Sequence, residues 1–374
     1  MSVALFTLGG TIAMAGVERG GQEAGGPVVA RLTGADLTAG VPGLAELGTP
    51  LEVRDAHAVP GAGLTTEQVL TVVRDASRAV AEGATGVVVT QGTDTLEETA
   101  YLVDLVWPHE EPFVLTGAMR NPTLAGPDGP ANLLAAARVA AAAEARGLGA
   151  LVVFNDEIHA ARWVRKTHST STATFASPNA GPIGHVIEGR VRVLVRPPRH
   201  EPLAVAPGLS AVADLPAKAD VPVTPGLPVS PGLPAVAAVP PDASDASDAS
   251  ETPWPRVALY TVTLDDDGAL LDGLAHTHAG LVVAGFGVGH VPSPLAPVLG
   301  GLAERIPVVL ASRCGSGSVL RATYGAVGSE ADLQRRGLIN AGLLDPYKAR
   351  ILLRLLLANS AGRSAVAAAF ARHG

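Results

Sequence analysis

Three short segments carry residue types that can do chemistry, and each reads as the end of a strand. The first is Thr7-Leu-Gly-Gly-Thr-Ile-Ala13, which sets the hydroxyl of Thr11 just beyond a Gly-Gly turn. Glycine lets backbone approach a ligand closely, and a threonine held there can attack a carbonyl once activated. The same residues also fit a plain tight turn with Thr11 as a local cap. A dinucleotide loop fits poorly, because G-x-G-x-x-G is missing and Ala15–Val28 is glycine-rich and polar. The second segment is Val87-Val-Val-Thr-Gln-Gly-Thr-Asp-Thr-Leu-Glu-Glu98. Thr93, Asp94 and Thr95 sit where strand turns into helix. They fit ordinary helix capping, with Glu97 and Glu98 near the positive helix end. They also fit a site in which Asp94 binds an ammonium and Thr93 positions a nucleophile. The third is Arg165-Lys166-Thr-His-Ser-Thr170. Lys166 is either a solvated surface charge or an amine drawn into a site, where burial makes it usable as a base.

The elements that must position these residues follow from periodicity. Val3–Leu8, Gly86–Thr90, Phe113–Thr116 and Leu151–Phe154 are apolar runs of strand length. Between them lie a helix opened by the capping box Thr65-Thr66-Glu67-Gln68 and stopped at Gly83, a helix over Leu96–Trp107, and an Ala-rich helix from about Pro130 to Arg146. Continuously apolar strands alternating with helices predict an α/β fold whose larger sheet is mostly parallel and flanked by helices. Val257–Leu264, Leu281–Phe286 and Ile306–Ala311, followed by an amphipathic helix over Asp345–Leu357, predict a second, smaller α/β unit. Ligands of such sheets sit beyond the carboxyl ends of the strands, where the three segments lie. Between the units, Pro197–Arg256 holds 14 of the 30 prolines and the run Asp242-Ala-Ser-Asp-Ala-Ser-Asp-Ala-Ser250. This composition predicts a flexible linker with no catalytic role. The expected division is 1–196, linker 197–256, and 257–374.

Composition excludes several function classes. The chain of 374 residues is 47% hydrophobic but only 3% aromatic, so its core is built from Ala, Val and Leu. Its 27 basic against 35 acidic residues leave a net charge of −8, a poor match to nucleic acid or anionic membrane. The single cysteine, Cys314, allows neither an internal disulfide nor a Cys-rich zinc site. The N-terminus lacks a basic region and a long apolar run, and apolar stretches elsewhere are broken by glycine. The expectation is a soluble cytoplasmic protein.

Taken together, the motifs resemble the bacterial L-asparaginases. Thr7-Leu-Gly-Gly-Thr-Ile-Ala13, Thr90-Gln-Gly-Thr-Asp-Thr-Leu-Glu-Glu-Thr-Ala100, Leu115-Thr-Gly-Ala-Met-Arg120 with Asp128-Gly-Pro-Ala-Asn132, and Lys166-Thr-His-Ser-Thr170 occur in that family's order. The resemblance extends through Ser312-Arg313 and Gly342-Leu-Leu-Asp-Pro-Tyr-Lys-Ala-Arg350, and omits only Pro197–Arg256. It implies a two-domain α/β fold and hydrolysis of L-asparagine to L-aspartate and ammonia, with no cofactor and no metal. Carried over by motif, Thr11 is the primary nucleophile, and Thr93, Lys166 and Asp94 form a second hydroxyl–amine–carboxylate set. Asp94 also holds the substrate ammonium, backbone groups at Gly10 and Thr93 face the oxyanion, and Ala118 lines the pocket near the leaving amide. Gly61, Gly92 and His290 complete the implied substrate site. The implied assembly is a homotetramer, a dimer of dimers in which a neighbouring C-terminal domain completes each site.

The sequence departs from the family at three places. No tyrosine occurs between Thr11 and Tyr101, where well-studied members place one in the loop after the first threonine. Gly61, in Val59-Pro-Gly-Ala-Gly-Leu64, stands where many relatives have a serine. His290, in Gly287-Val-Gly-His290, stands where asparagine is common. These differences bear on affinity and on asparagine-versus-glutamine choice, which one methylene separates. Two readings from other classes stay open. One is a non-catalytic amino-acid-binding protein on the same scaffold, which needs Asp94 but not Lys166. The other is an amidotransferase subunit, which the lack of a basic, tRNA-directed domain disfavours.

Overall fold

The computed structural model describes residues 2–16, 28–30, 32–205 and 254–374. The chain opens with β1 (Ser2–Thr7), followed by a hairpin of β2 (Met14–Gly16) and β3 (Val28–Ala30), helix α1 (Gly34–Ala39) and β4 (Leu51–Asp55). Next come α2 (Thr66–Ala81), β5 (Ala84–Thr90), α3 (Leu96–Val106), β6 (Phe113–Thr116), α4 (Gly129–Ala141) and β7 (Ala150–Phe154). Short strands follow: β8 (Glu157–Ala160), β9 (Arg165–Lys166), β10 (Phe175–Ala176), β11 (Gly184–Ile187) and β12 (Arg190–Val193). The remaining elements are β13 (Val257–Thr261), α5 (Leu274–Thr277), β14 (Gly280–Gly285), α6 (Leu295–Arg305), β15 (Val308–Ser312), α7 (Glu330–Arg335), β16 (Ile339–Asn340), α8 (Pro346–Ala358) and α9 (Arg363–His373).

The larger sheet has eight strands in the order β12-β11-β8-β7-β6-β5-β1-β4. The run β7-β6-β5-β1-β4 is parallel, while β8, β11 and β12 extend it antiparallel. The smaller sheet, β13-β14-β15-β16, is wholly parallel. The expected α/β class with a mostly parallel larger sheet is what the chain forms. Its central strands β1, β6, β7 and β14 are buried at every residue, which is why they lack the alternation of a one-sided strand.

Local signals placed most boundaries. Thr65 accepts from the Gln68 amide while the Gln68 side chain accepts from the Thr65 amide, a reciprocal box at the start of α2. Gly83, at φ 107°, turns the chain out of that helix. The Ala-rich helix ends five residues before the expected Arg146, at Ala141, because Ala142 turns extended and a single tight turn follows. Likewise β13 stops at Thr261, short of Leu264. Beyond it Tyr260, Thr263 and Gly268 all donate to Asp266, which closes a turn on the chain.

The expected linker is docked at both described ends. Leu203 donates its amide to the Leu105 carbonyl at 2.6 Å, and Asn359 donates to the Ala204 carbonyl at 2.7 Å. Trp254 lies under Arg354 on α8, with the guanidinium 5.2 Å from its ring. The rest of the expected linker, 206–253, lies outside the described residues. The largest hydrophobic core joins the two units: Val69, Leu96, Leu102 and Val106 of α2 and α3 share it with Leu352, Leu353 and Leu356 of α8 and with Val282 of β14. Helix α8 therefore packs on the smaller sheet and on α3 of the larger unit.

Candidate active site

The Gly-Gly turn after β1 and the turn after β5 meet backbone to backbone. Gly9 and Gly10 take φ 88° and 86°, conformations that side chains rarely adopt. A Cβ on Gly10 would lie 2.2 Å from the Gly92 nitrogen, and one on Gly61 would lie 2.8 Å from the Gly92 oxygen. The turns after β1, β4 and β5 thus pack through three glycines with no side chain between them. Thr11 and Thr93, each one residue past the Gly10–Gly92 contact, are presented from that junction. Position 61 cannot carry a side chain in this chain, so glycine there is a packing requirement; the neighbouring Ala62 is exposed. Thr95 locks the third turn onto the second, donating its hydroxyl to the Gly61 carbonyl at 2.8 Å and accepting from the Gln91 amide at 3.1 Å.

Lys166 reaches this junction from β9. Its Nζ donates to Thr93 Oγ1 and to Asp94 Oδ1, both at 2.9 Å. Its side chain is 17% exposed, so it is neither fully buried nor a free surface charge, while Asp94 at 64% opens to solvent. Thr93 is buried. The helix-capping reading of Thr93, Asp94 and Thr95 does not hold. Thr95 occupies the cap position of α3 yet makes no side-chain bond to the helix, and Thr93 and Asp94 turn to the lysine. Glu97, which sequence reading left as a helix-end charge, accepts the Lys166 backbone N–H at 2.8 Å. Burial pushes its carboxyl above the ordinary range, against the opposing pull of Lys348, Lys166 N–H and Arg165.

The fourth wall is the turn after β6. Asp128 accepts from the amides of Met119 and Arg120 at 3.0 and 2.8 Å, and Asn132 donates to the Gly117 carbonyl at 3.0 Å. These bonds fix the turn that carries the buried Ala118. Asp128 and Asn132 were visible only as part of a motif; their role needs the fold, because the carboxylate must reach back over eight or more residues. The structure thus assembles Gly10, Thr11, Gly61, Gly92, Thr93, Asp94, Ala118 and Lys166 around adjoining strand ends.

His290 stands apart from them. It follows β14, with Nε2 3.1 Å from Glu330 Oε2 and its ring edge-on to Tyr324 at 5.0 Å. Its side-chain partners among the described residues belong to the smaller unit. Among the described residues, no group of three or more His, Cys, Asp or Glu side chains is placed to hold a metal ion. No described helix is long and apolar enough to cross a membrane.

The arrangement suits acyl transfer. Thr11 follows a backbone-lined turn that packs against the turn bearing a second hydroxyl, and that hydroxyl is paired with an amine and a carboxylate. Comparison with known proteins identifies the family. Residues 2–199 match the model of the asparaginase N-terminal domain, and residues 256–370 match that of the glutaminase/asparaginase C-terminal domain. The chain is 30% identical over 366 residues to an L-asparaginase of Bacillus licheniformis, covering 96% of this chain and 95% of that one. It is 37% identical over 190 residues to a glutaminase-asparaginase of Pseudomonas fluorescens biotype A, covering 50% and 51% of the two chains. The crystal structure of a probable cytoplasmic L-asparaginase from Campylobacter jejuni superposes with a TM-score of 0.77 at 27% identity, covering 99% of both chains. The two domain matches and the full-length similarity place this chain in the asparaginase family.

Proposed function

We propose that the chain hydrolyses L-asparagine to L-aspartate and ammonia through an acyl-enzyme on Thr11. The observation that carries this reading is the Lys166 ammonium bridging Thr93 and Asp94 at 2.9 Å, beside the Gly10–Gly92 junction that presents Thr11. Thr11 Oγ attacks the side-chain amide carbon, and its proton passes to the amide nitrogen, which leaves as ammonia. Water then adds to the ester, its proton passing through the Thr93 hydroxyl to the departing Thr11 oxygen while the Lys166 ammonium holds Thr93 in place, and aspartate departs. Splitting the reaction replaces one high barrier by two lower ones. The backbone amides at Gly10 and Thr93 face the oxyanion, Asp94 holds the substrate ammonium, and Gly61, Gly92 and Ala118 shape the pocket. The balance closes with water alone, so no cofactor is required.

A glutaminase-asparaginase among the relatives favours glutamine as a second substrate. We also take the chain to divide at 196 and 257, to work in the cytoplasm, and to form a homotetramer in which a neighbouring chain's His290 completes each site. Light scattering that returns a monomer removes the shared site. The test of function is ammonia release from L-asparagine and L-glutamine by wild type and Thr11→Ala. Release abolished by Thr11→Ala supports the mechanism. A folded wild type that releases none from either amide overturns it and leaves the amino-acid-binding reading.

A further inference from the structure

We infer that Lys348, in the first turn of α8, is a positioning residue for Lys166: through it the C-terminal domain fixes the strand that presents the amine of a site built on the N-terminal domain. The inference rests on the role proposed above for Lys166. Lys348 is fully buried, although nothing in a leucine-lined helix face calls for an ammonium there. A buried charge holds its place only when paired and hydrogen-bonded. Its Nζ donates to Asp345 Oδ2 at 2.8 Å and to the carbonyl of Val164, which is itself buried and lies two residues before Lys166. The adjacent Tyr347 ring lies 5.7 Å from the Arg165 guanidinium. On the other side, Glu97 of α3 holds the Lys166 N–H. Residues 164, 165 and 166 are therefore each gripped in turn, the first two by α8 and the third by α3.

The charges make the grip dependent on pH. Glu97 faces Lys348, Asp345 and Arg165, with Glu98 beside it on α3 and Arg350 countering Glu98 from α8. Removing the Lys348 ammonium takes away the foremost charge that favours ionised Glu97. A protonated Glu97 is a weaker acceptor for the Lys166 N–H, so the strand loosens in acid and tightens again in base.

The test uses the full chain with Lys348→Met, with thermal unfolding to establish the folded state at each pH. A displacement of the Lys166 strand lowers kcat about tenfold or more while KM stays within about threefold, since the loss falls on the chemistry. The acid limb of the kcat profile moves to higher pH. Adding Glu97→Gln, which keeps an acceptor for Lys166 N–H but cannot titrate, removes that movement. A folded Lys348→Met with wild-type kcat and an unmoved acid limb overturns the inference. Should Lys348→Met not fold, Lys348→Gln keeps a donor for Val164 without the charge, and an unmoved acid limb in that variant is equally decisive. If the wild type releases no ammonia, peptide-resolved hydrogen exchange over residues 164–167 separates the two claims. Faster exchange in the Lys348 variant at acid pH then supports the positioning role, and wild-type protection refutes it.

Discussion

The Gly10→Ala substitution tests the claim that the site hangs on a backbone junction. Its Cβ would meet the Gly92 nitrogen at 2.2 Å and the Gly92 Cα at 2.4 Å, where ordinary contact begins at 3.4 Å. The two turns must therefore part by more than an ångström. Neither neighbour is a side chain that can swing away, so the gap opens in the backbone that carries Thr11 and Thr93. Overpacking of this kind costs about 1–3 kcal/mol, and holding alanine at φ 86°, ψ −175° adds about 1–3 kcal/mol. Displacing catalytic groups by about 1 Å lowers turnover roughly a hundredfold. The expected result is a destabilised protein, still folded at low temperature, whose kcat for ammonia release falls by that factor. Gly63→Ala is the control. Nothing lies within 4 Å of its Cβ and its φ is not in the left-handed range, so stability and turnover stay near wild type. Gly10→Ala with wild-type melting and kcat would refute the junction as the organising contact.

Two further predictions use the supporting bonds. Thr95→Val removes the hydroxyl that ties Gly61 to the Thr93 turn and leaves the buried Gln91 amide one partner fewer. It should cost about 1–2 kcal/mol and raise KM more than it lowers kcat, as steady-state kinetics will show. Asp104 sits beneath the docked residues 197–200, where burial pushes its carboxyl up to about 6 against the Ala150 amide, Arg199 and Arg162. The folded state then holds this proton more tightly than the unfolded chain, so stability falls as pH rises from about 4 to about 6 and is flat above. Asp104→Asn keeps an acceptor for Ala150 and should gain about 2–3 kcal/mol at pH 8 but nothing near pH 4. Melting temperatures of the two proteins that run parallel across this range would contradict that account.

The chemistry was legible in the sequence because its residues cluster within a few positions of strand ends, where glycine, threonine and aspartate have few other uses together. The central strands were legible for a related reason: burial on both faces leaves an unbroken apolar run. Strands β8, β11 and β12 were not, since they are four residues each and mix His, Glu and Arg with valine and isoleucine. Strand β4 was missed because Glu52, Arg54 and Asp55 break up its apolar pattern, though its whole length pairs with Val3–Thr7 of β1. The sequence also misjudged Thr95, whose type suits a helix cap but whose hydroxyl finds the Gly61 carbonyl instead. Lys348 is the deepest case. An ammonium three residues from an aspartate reads as an exposed helical pair, and only the packing of α8 on α3 reveals that it is sealed.

Helix α8 has a consequence for how the molecule is made. The ribosome releases the amino-terminal half first, with Val69, Leu96, Leu102 and Val106 in place but the helix that covers them still to be synthesised. For most of translation, then, α2 and α3 present an unfinished apolar surface, the kind of exposed intermediate that invites aggregation and chaperone capture. The strand bearing Lys166 likewise waits some 180 residues for the lysine that grips it at Val164. Nascent chains stalled before residue 346 should accordingly bind holdase chaperones until α8 emerges, so the last tenth of the protein completes what the first half began.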